Sequence, residues 1–130
     1  MGPAMNSTAD LQPQDIARLV DHFYEKVRRH PQLGPVFNAA VHDWDEHKAL
    51  LTQFWSSVAL GTASYRGNPM AAHRAQPIRA EHFDEWLRLW DETANEVLAP
   101  EQAALMHGYA QRIGRSLRYG LGLDGGLRPI

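Results

Sequence analysis

Apolar side chains recur at steps of three and four residues along nearly the whole chain, and no stretch alternates with the period of two that a half-buried strand requires. That pattern restricts the chain to helices packed on helices. Ile16, Leu19, Val20, Phe23, Tyr24 and Val27 mark the first stripe. Its helix is expected to begin near Pro13 and stop at His30, because Pro31 disfavours the helical conformation in the residue before it. Arg28 and Arg29 then complement the negative dipole end. Leu33-Gly34-Pro35-Val36-Phe37 predicts a tight bend or short helical turn with an aromatic anchor. Asp43, followed by Glu46, predicts a capping box that opens a second stripe of Trp44, His47, Leu51, Phe54, Trp55 and Val58, ending at Gly61. A short helix bounded by Pro69 and Pro77 follows, carrying His73. Phe83, Trp86, Leu87, Trp90, Ala94, Val97 and Leu98 mark a third long helix. Pro100 opens the last one, with Leu105, Tyr109, Ile113 and Leu117 at every fourth residue. Gly120, Gly122, Gly125, Gly126 and Pro129 predict a frayed tail. The fold class is all-α.

A chain of 130 residues is one domain, with enough core to enclose a small prosthetic group. Cysteine is absent, which removes disulfides, thiolate zinc sites, iron–sulfur clusters and thiolate-ligated haem. Any metal must use nitrogen or oxygen ligands. A net charge of -2 gives no basic field for nucleic acid. No apolar run approaches the ~18 residues of a membrane span, and the first residues carry no basic-plus-apolar signal, so a cytoplasmic protein with no membrane partner is expected.

Seven histidines stand at 22, 30, 42, 47, 73, 82 and 107. A single histidine is more often a satisfied surface residue than a ligand, but two are better placed. His47 shares its stripe with Leu51, Phe54 and Trp55, and His73 is central in the proline-bracketed helix. One imidazole on a short helix, between helices carrying tyrosine, histidine and tryptophan inward, is the arrangement that clamps one axial side of a planar iron cofactor. His82, one turn before Trp86, is the alternative ligand. Dinuclear metal chemistry in a bundle predicts Glu-x-x-His, and no glutamate here has a histidine three residues later. No two histidines stand four apart, which removes His-Glu-x-x-His zinc chemistry. No Gly-x-Ser-x-Gly elbow or phosphate-cradling loop is present. Tyr24, Trp55 and Trp86 each bring a polar hydrogen to a predicted inner face, where a buried donor needs a partner. A diatomic ligand on iron supplies one.

Phe23-Tyr24, Leu33-Gly34-Pro35-Val36-Phe37, His47, Phe54-Trp55, His73 and Phe83-x-x-Trp86-Leu87 together resemble a truncated haemoglobin, most closely the third group of that family. The likeness spans roughly residues 14 to 119, leaving 1–13 as an N-terminal extension and 120–130 as a flexible tail. It implies a two-over-two helical sandwich of globin type, in which the Tyr24 helix pairs with the His47 helix and the Phe83 to Leu98 helix with the last. It implies haem b, iron protoporphyrin IX, with His73 as proximal ligand, Tyr24 as distal tyrosine and His47 as distal histidine. Phe37 resembles the phenylalanine at the haem edge. Leu51, Phe54 and Trp55 match further pocket positions, and Trp86 matches a tryptophan whose indole reaches a bound ligand. Only Gly67 stands where the first two groups carry a Gly-Gly pair, which favours the third. Arg74 and Arg79 flank the proximal segment as candidate propionate partners.

The expected function is reversible binding of dioxygen and other diatomics such as NO and CO, with cyanide or peroxide as further ligands. Tyr24 is the first donor, Trp86 the second and His47 a gate or auxiliary. An enzymatic extension is nitric oxide dioxygenation or peroxidase-like oxidation, drawing electrons from a reductase. A haem-based redox or gas-sensing module acting through a partner protein is the alternative, and a cofactor-free helical interaction domain is the third class.

Overall fold

The structure, a computed structural model, describes residues 10–62, 67–74 and 76–123. The expected N-terminal extension up to residue 9, residues 63–66 of the loop before Gly67, and the tail from 124 lie outside the described residues. Among the described residues six helices follow in order: α1 Pro13–Arg29, α2 Leu33–Ala40, α3 Trp44–Leu60, α4 Pro69–Arg74, α5 Ala80–Val97 and α6 Pro100–Gly120. Among the described residues there is no strand.

Each helix starts where a donor-poor or capping residue lets it. Pro13 and Pro100 occupy first-turn positions, where the missing amide hydrogen is no loss. Asp43 accepts the Glu46 amide at 3.1 Å and so satisfies one of the unbonded amides of α3. Gly61 ends that helix at φ 68°, a left-handed conformation in which a Cβ would be strained. At Gly34 the demand is space, since a Cβ would stand 2.9 Å from the Arg28 carbonyl oxygen. That close approach folds α2 back against the end of α1.

The predicted bend at Leu33 to Phe37 is a full helix running on to Ala40. Its start has no serine, threonine, aspartate or asparagine cap; instead the His30 imidazole Nδ1 accepts the amides of Gln32 and Leu33 at 3.0 and 3.1 Å. The short helix closes earlier than Pro77 requires. The Gln76 amide turns onto the His73 carbonyl at 3.0 Å, a tight turn that ends α4 at Arg74.

Packing assembles two crossed pairs. α1 lies on α3, α5 lies on α6, and α1 crosses α5 to join the layers, giving the expected two-over-two globin sandwich. Ile16, Leu19, Val20, Phe23, Trp90 and Met106 are wholly enclosed at the junction. Phe23 stands edge-on to Trp90 at 4.9 Å, and the Trp90 indole donates to the Met106 carbonyl at 3.2 Å, so this large buried ring leaves no polar hydrogen unpaired. Outside, Lys26 reaches Glu92 at 3.0 Å and Glu96 at 2.7 Å across the α1–α5 crossing. α2 and α4 belong to neither pair, and they wall the space the pairs leave open.

Candidate functional site

That space is a cavity of about 560 Å³ between the layers. Tyr24 from α1, Phe37 from α2, His47, Leu51, Phe54 and Trp55 from α3, His73 from α4 and Trp86 from α5 all line it. Every pocket residue expected from the sequence is therefore in one wall except Arg79. Arg79 caps the start of α5, is largely exposed and pairs with Glu81 at 3.2 Å. Arg74 lines a smaller recess next to His73 instead. Phe83, Ile113 and Leu117, expected on helix stripes, Val36 of the Leu33–Phe37 segment, and Ile78 also line it, because an apolar residue facing a cavity obeys the same periodicity as one facing a core.

The polar groups are sorted within the wall. Tyr24 is buried, and burial pushes its phenol well above the ordinary tyrosine range, opposed in part by a hydrogen bond with Trp86. An indole can only donate, so the Trp86 N–H points at the phenol oxygen and leaves the Tyr24 O–H available as a donor. The Trp86 indole, expected to reach a bound ligand, is thus directed at Tyr24. His47 stands edge-on to Tyr24 with ring centres 5.5 Å apart. Burial pushes its imidazole below the ordinary histidine range, and its Nε2 is buried with no partner. Trp55 is enclosed and its indole N–H is likewise unpartnered. It stacks on Trp90 at 4.5 Å and on Trp86 at 6.2 Å, an aromatic floor beneath the tyrosine.

A second layer of contacts locks α1 to α3 behind these rings. Next to Tyr24, Glu25 accepts from Lys48 at 2.6 Å, and Lys48 follows His47. The Lys48 hydrogen bond, assisted by Arg28, holds the Glu25 carboxyl below the usual carboxylate range. The inner Tyr24–His47 contact and the outer Glu25–Lys48 pair therefore share one rung between the helices.

Two imidazoles in the wall differ in tautomer. His73 Nδ1 lies 2.6 Å from the Pro69 carbonyl, which can only accept. Nδ1 therefore carries the hydrogen and Nε2 keeps its lone pair, the form a metal needs. His82 is reversed. Its Nδ1 accepts the Arg79 amide at 2.9 Å, so its Nε2 carries the hydrogen. Phe83 lies stacked on the His73 ring, with ring centres 6.5 Å apart.

Comparison with known proteins agrees with this geometry. Residues 11–112 match the family of bacterial-like globins. Over 108 residues the chain is 38% identical to the group 3 truncated hemoglobin ctb of Campylobacter jejuni, covering 79% of the chain and 85% of the relative. The chain belongs to the truncated haemoglobins. This truncated haemoglobin is also 33% identical over 101 residues to the group 2 truncated hemoglobin YjbI of Bacillus subtilis, covering 75% of the chain and 76% of that relative. Its fold superposes on the crystal structure of the group III truncated hemoglobin from Campylobacter jejuni with a TM-score of 0.83 at 37% identity, covering 89% of the chain and 95% of that structure.

Membership implies a haem group, and the truncated haemoglobin fits one on its own geometry. The cavity walls are largely apolar, as a porphyrin requires. One imidazole offers a bare Nε2, and a buried hydroxyl, an orphaned imidazole nitrogen and an orphaned indole N–H stand in the same wall.

Proposed function

We propose that this chain carries haem b in the central cavity, with His73 Nε2 as the iron ligand and the Tyr24 hydroxyl as the principal donor to a bound diatomic. Haem iron, when bound, would supply a site for dioxygen, NO or CO. The single observation that carries the reading is the His73–Pro69 bond, because it fixes the ligating tautomer. The opposite tautomer of His82, whose Nδ1 accepts the Arg79 amide, supports His73 over His82 in that role.

The chain's own residues then divide the work. Trp86 orients the Tyr24 phenol by donating to its oxygen. Burial keeps that phenol protonated, so its hydrogen is offered to the ligand across the working pH range. His47, edge-on to Tyr24, acts as the gate. Leu51, Phe54 and Phe37 exclude water and hold the ring edges. A donor preorganised toward a ligand bearing negative charge contributes about 1.5 to 3 kcal/mol.

The clustering of hydroxyl, imidazole and indole hydrogens in one wall favours, as a second reading, turnover over simple carriage: nitric oxide dioxygenation or peroxidase-like reduction with electrons from a reductase. Mixing the oxygenated protein with nitric oxide in a stopped-flow instrument tests it. Rapid conversion to the ferric spectrum with stoichiometric nitrate supports turnover, and slow ligand exchange supports carriage. A well-folded protein that takes up no haem, and so shows no Soret band, defeats both.

A further inference from the structure

We propose that Trp44, capped by Arg28, is the positioning residue that keeps His47 inside the distal pocket and thereby sets how readily a ligand passes. The inference rests on the haem reading above. His47 in its inward position leaves Nε2 buried without a hydrogen bond, one that water would satisfy if the ring turned outward. Something else must hold it. The structure gives the ring two edge-on neighbours at equal distance: Tyr24 at 5.5 Å and 87°, and Trp44 at 5.5 Å and 87°.

The two neighbours are not equally firm. Tyr24 is enclosed and tied to the interior, so it is a fixed wall. Trp44 is the first residue of α3 and only half-buried, with one turn of helix to hold it. Arg28, at the end of α1, compensates by placing its guanidinium 5.2 Å from the Trp44 ring centre, a cation over a π face. Glu25 holds Arg28 at 3.1 Å and the backbone neighbour of His47, Lys48, at 2.6 Å. Cation, indole and imidazole thus form a latch across the α1–α3 seam. Its contacts oppose one missing hydrogen bond of similar size, so the inward and outward positions of His47 are close in free energy and a small change at Arg28 shifts the population.

The test uses the haem-loaded protein and its carbon monoxide adduct. Infrared C–O stretching bands report the inward and outward His47 populations, with His47→Leu defining the outward band. Arg28→Gln is expected to lower the inward-to-outward ratio about two- to fivefold and to raise the CO association rate in proportion. Trp44→Leu is expected to do so more strongly, about fivefold to tenfold. Arg28→Lys, which keeps a cation over the ring, restores most of the parent ratio. In the His47→Leu background, Arg28→Gln and Trp44→Leu change the association rate no further, because the residue they position is gone. Equal rate changes in both backgrounds, or an unmoved band ratio in Arg28→Gln, overturn the latch. Should Trp44→Leu fail to fold, the exposed Arg28 substitutions decide alone. A parent protein that takes up haem and binds CO while showing no His47-dependent band defeats only the latch, whereas one that takes up no haem defeats the reading beneath it.

Discussion

Removing one oxygen atom at Tyr24 tests the distal side most directly. In Tyr24→Phe the ring still fills its place against Phe23, at 4.7 Å, and against His47, at 5.5 Å, so packing is retained and only the hydroxyl is lost. Two hydrogen bonds go with it. The first is the donor bond to the ligand, worth about 1.5 to 3 kcal/mol when the acceptor carries charge, which corresponds to roughly tenfold to a hundredfold faster dioxygen dissociation. The second is the acceptor for the half-buried Trp86 indole, whose loss costs the fold up to about 1 kcal/mol. The freed indole can turn toward the ligand and recover part of the first loss, so Tyr24→Phe with Trp86→Phe should dissociate faster than Tyr24→Phe alone. Dissociation is read by stopped-flow displacement of dioxygen with excess CO. Because burial raises the phenol above the tyrosine range near 10, the parent rate should stay flat where an exposed tyrosine would ionise. A dissociation rate within about twofold of the parent in Tyr24→Phe refutes the assignment of the hydroxyl as principal donor.

Other perturbations separate the proximal side, the acid limb and the fold. His73→Ala removes the imidazole whose Nδ1 is tied to the Pro69 carbonyl and whose Nε2 keeps its lone pair, and the Soret band of the purified protein should be lost or shifted, whereas His82→Ala should keep the parent spectrum. His47 is held below the ordinary histidine value by burial, so between its folded value and about 6.5 the unfolded chain binds more protons and stability rises with pH. That stability is complete above about 6.5 and is lost as pH falls toward the folded value; urea midpoints of His47→Leu should lack this acid slope. His30→Leu leaves the amides of Gln32 and Leu33 and the Glu85 carboxylate without their imidazole. It should cost about 1 to 3 kcal/mol in urea unfolding, with early loss of α2 protection in hydrogen exchange.

Much of the fold is legible because punctuation and periodicity agree. Pro13, Pro31, Gly61 and Pro100 bound helices whose apolar stripes are long enough to be read alone, and α1 and α3 end at or within one residue of the expected place. The full length of α2 is not legible because its cap comes from a histidine in the preceding turn, which lacks the serine, threonine, aspartate or asparagine signature of an N-cap. Leu51 and Phe54 could be placed on an inner face but not on a cavity, since periodicity records only aversion to water. Trp86 lines the cavity from α5, yet the partner of its indole depends on a side-chain rotamer in another helix. Arg79 was drawn to the site by its position in sequence, and its exposure beside Glu81 follows from standing at a helix start.

His73 and His82 show how helix position selects the nitrogen that a cavity histidine presents. Side chains on a helix lean toward its N-terminus, so what an imidazole meets depends on where along the helix it stands. His73, four residues into α4, leans back onto a carbonyl of the preceding turn, which forces a hydrogen onto Nδ1 and bares Nε2. His82, in the first turn of α5, leans back onto an amide left unbonded by the helix start, which takes the Nδ1 lone pair and leaves the hydrogen on Nε2. Ligand competence at neutral pH is therefore written partly in helix position: late in a short helix an imidazole is prepared for a metal, and at a helix start it is prepared to donate. Pro69 fixes that position for His73, because the proline that opens the helix also supplies the carbonyl that selects the nitrogen it presents.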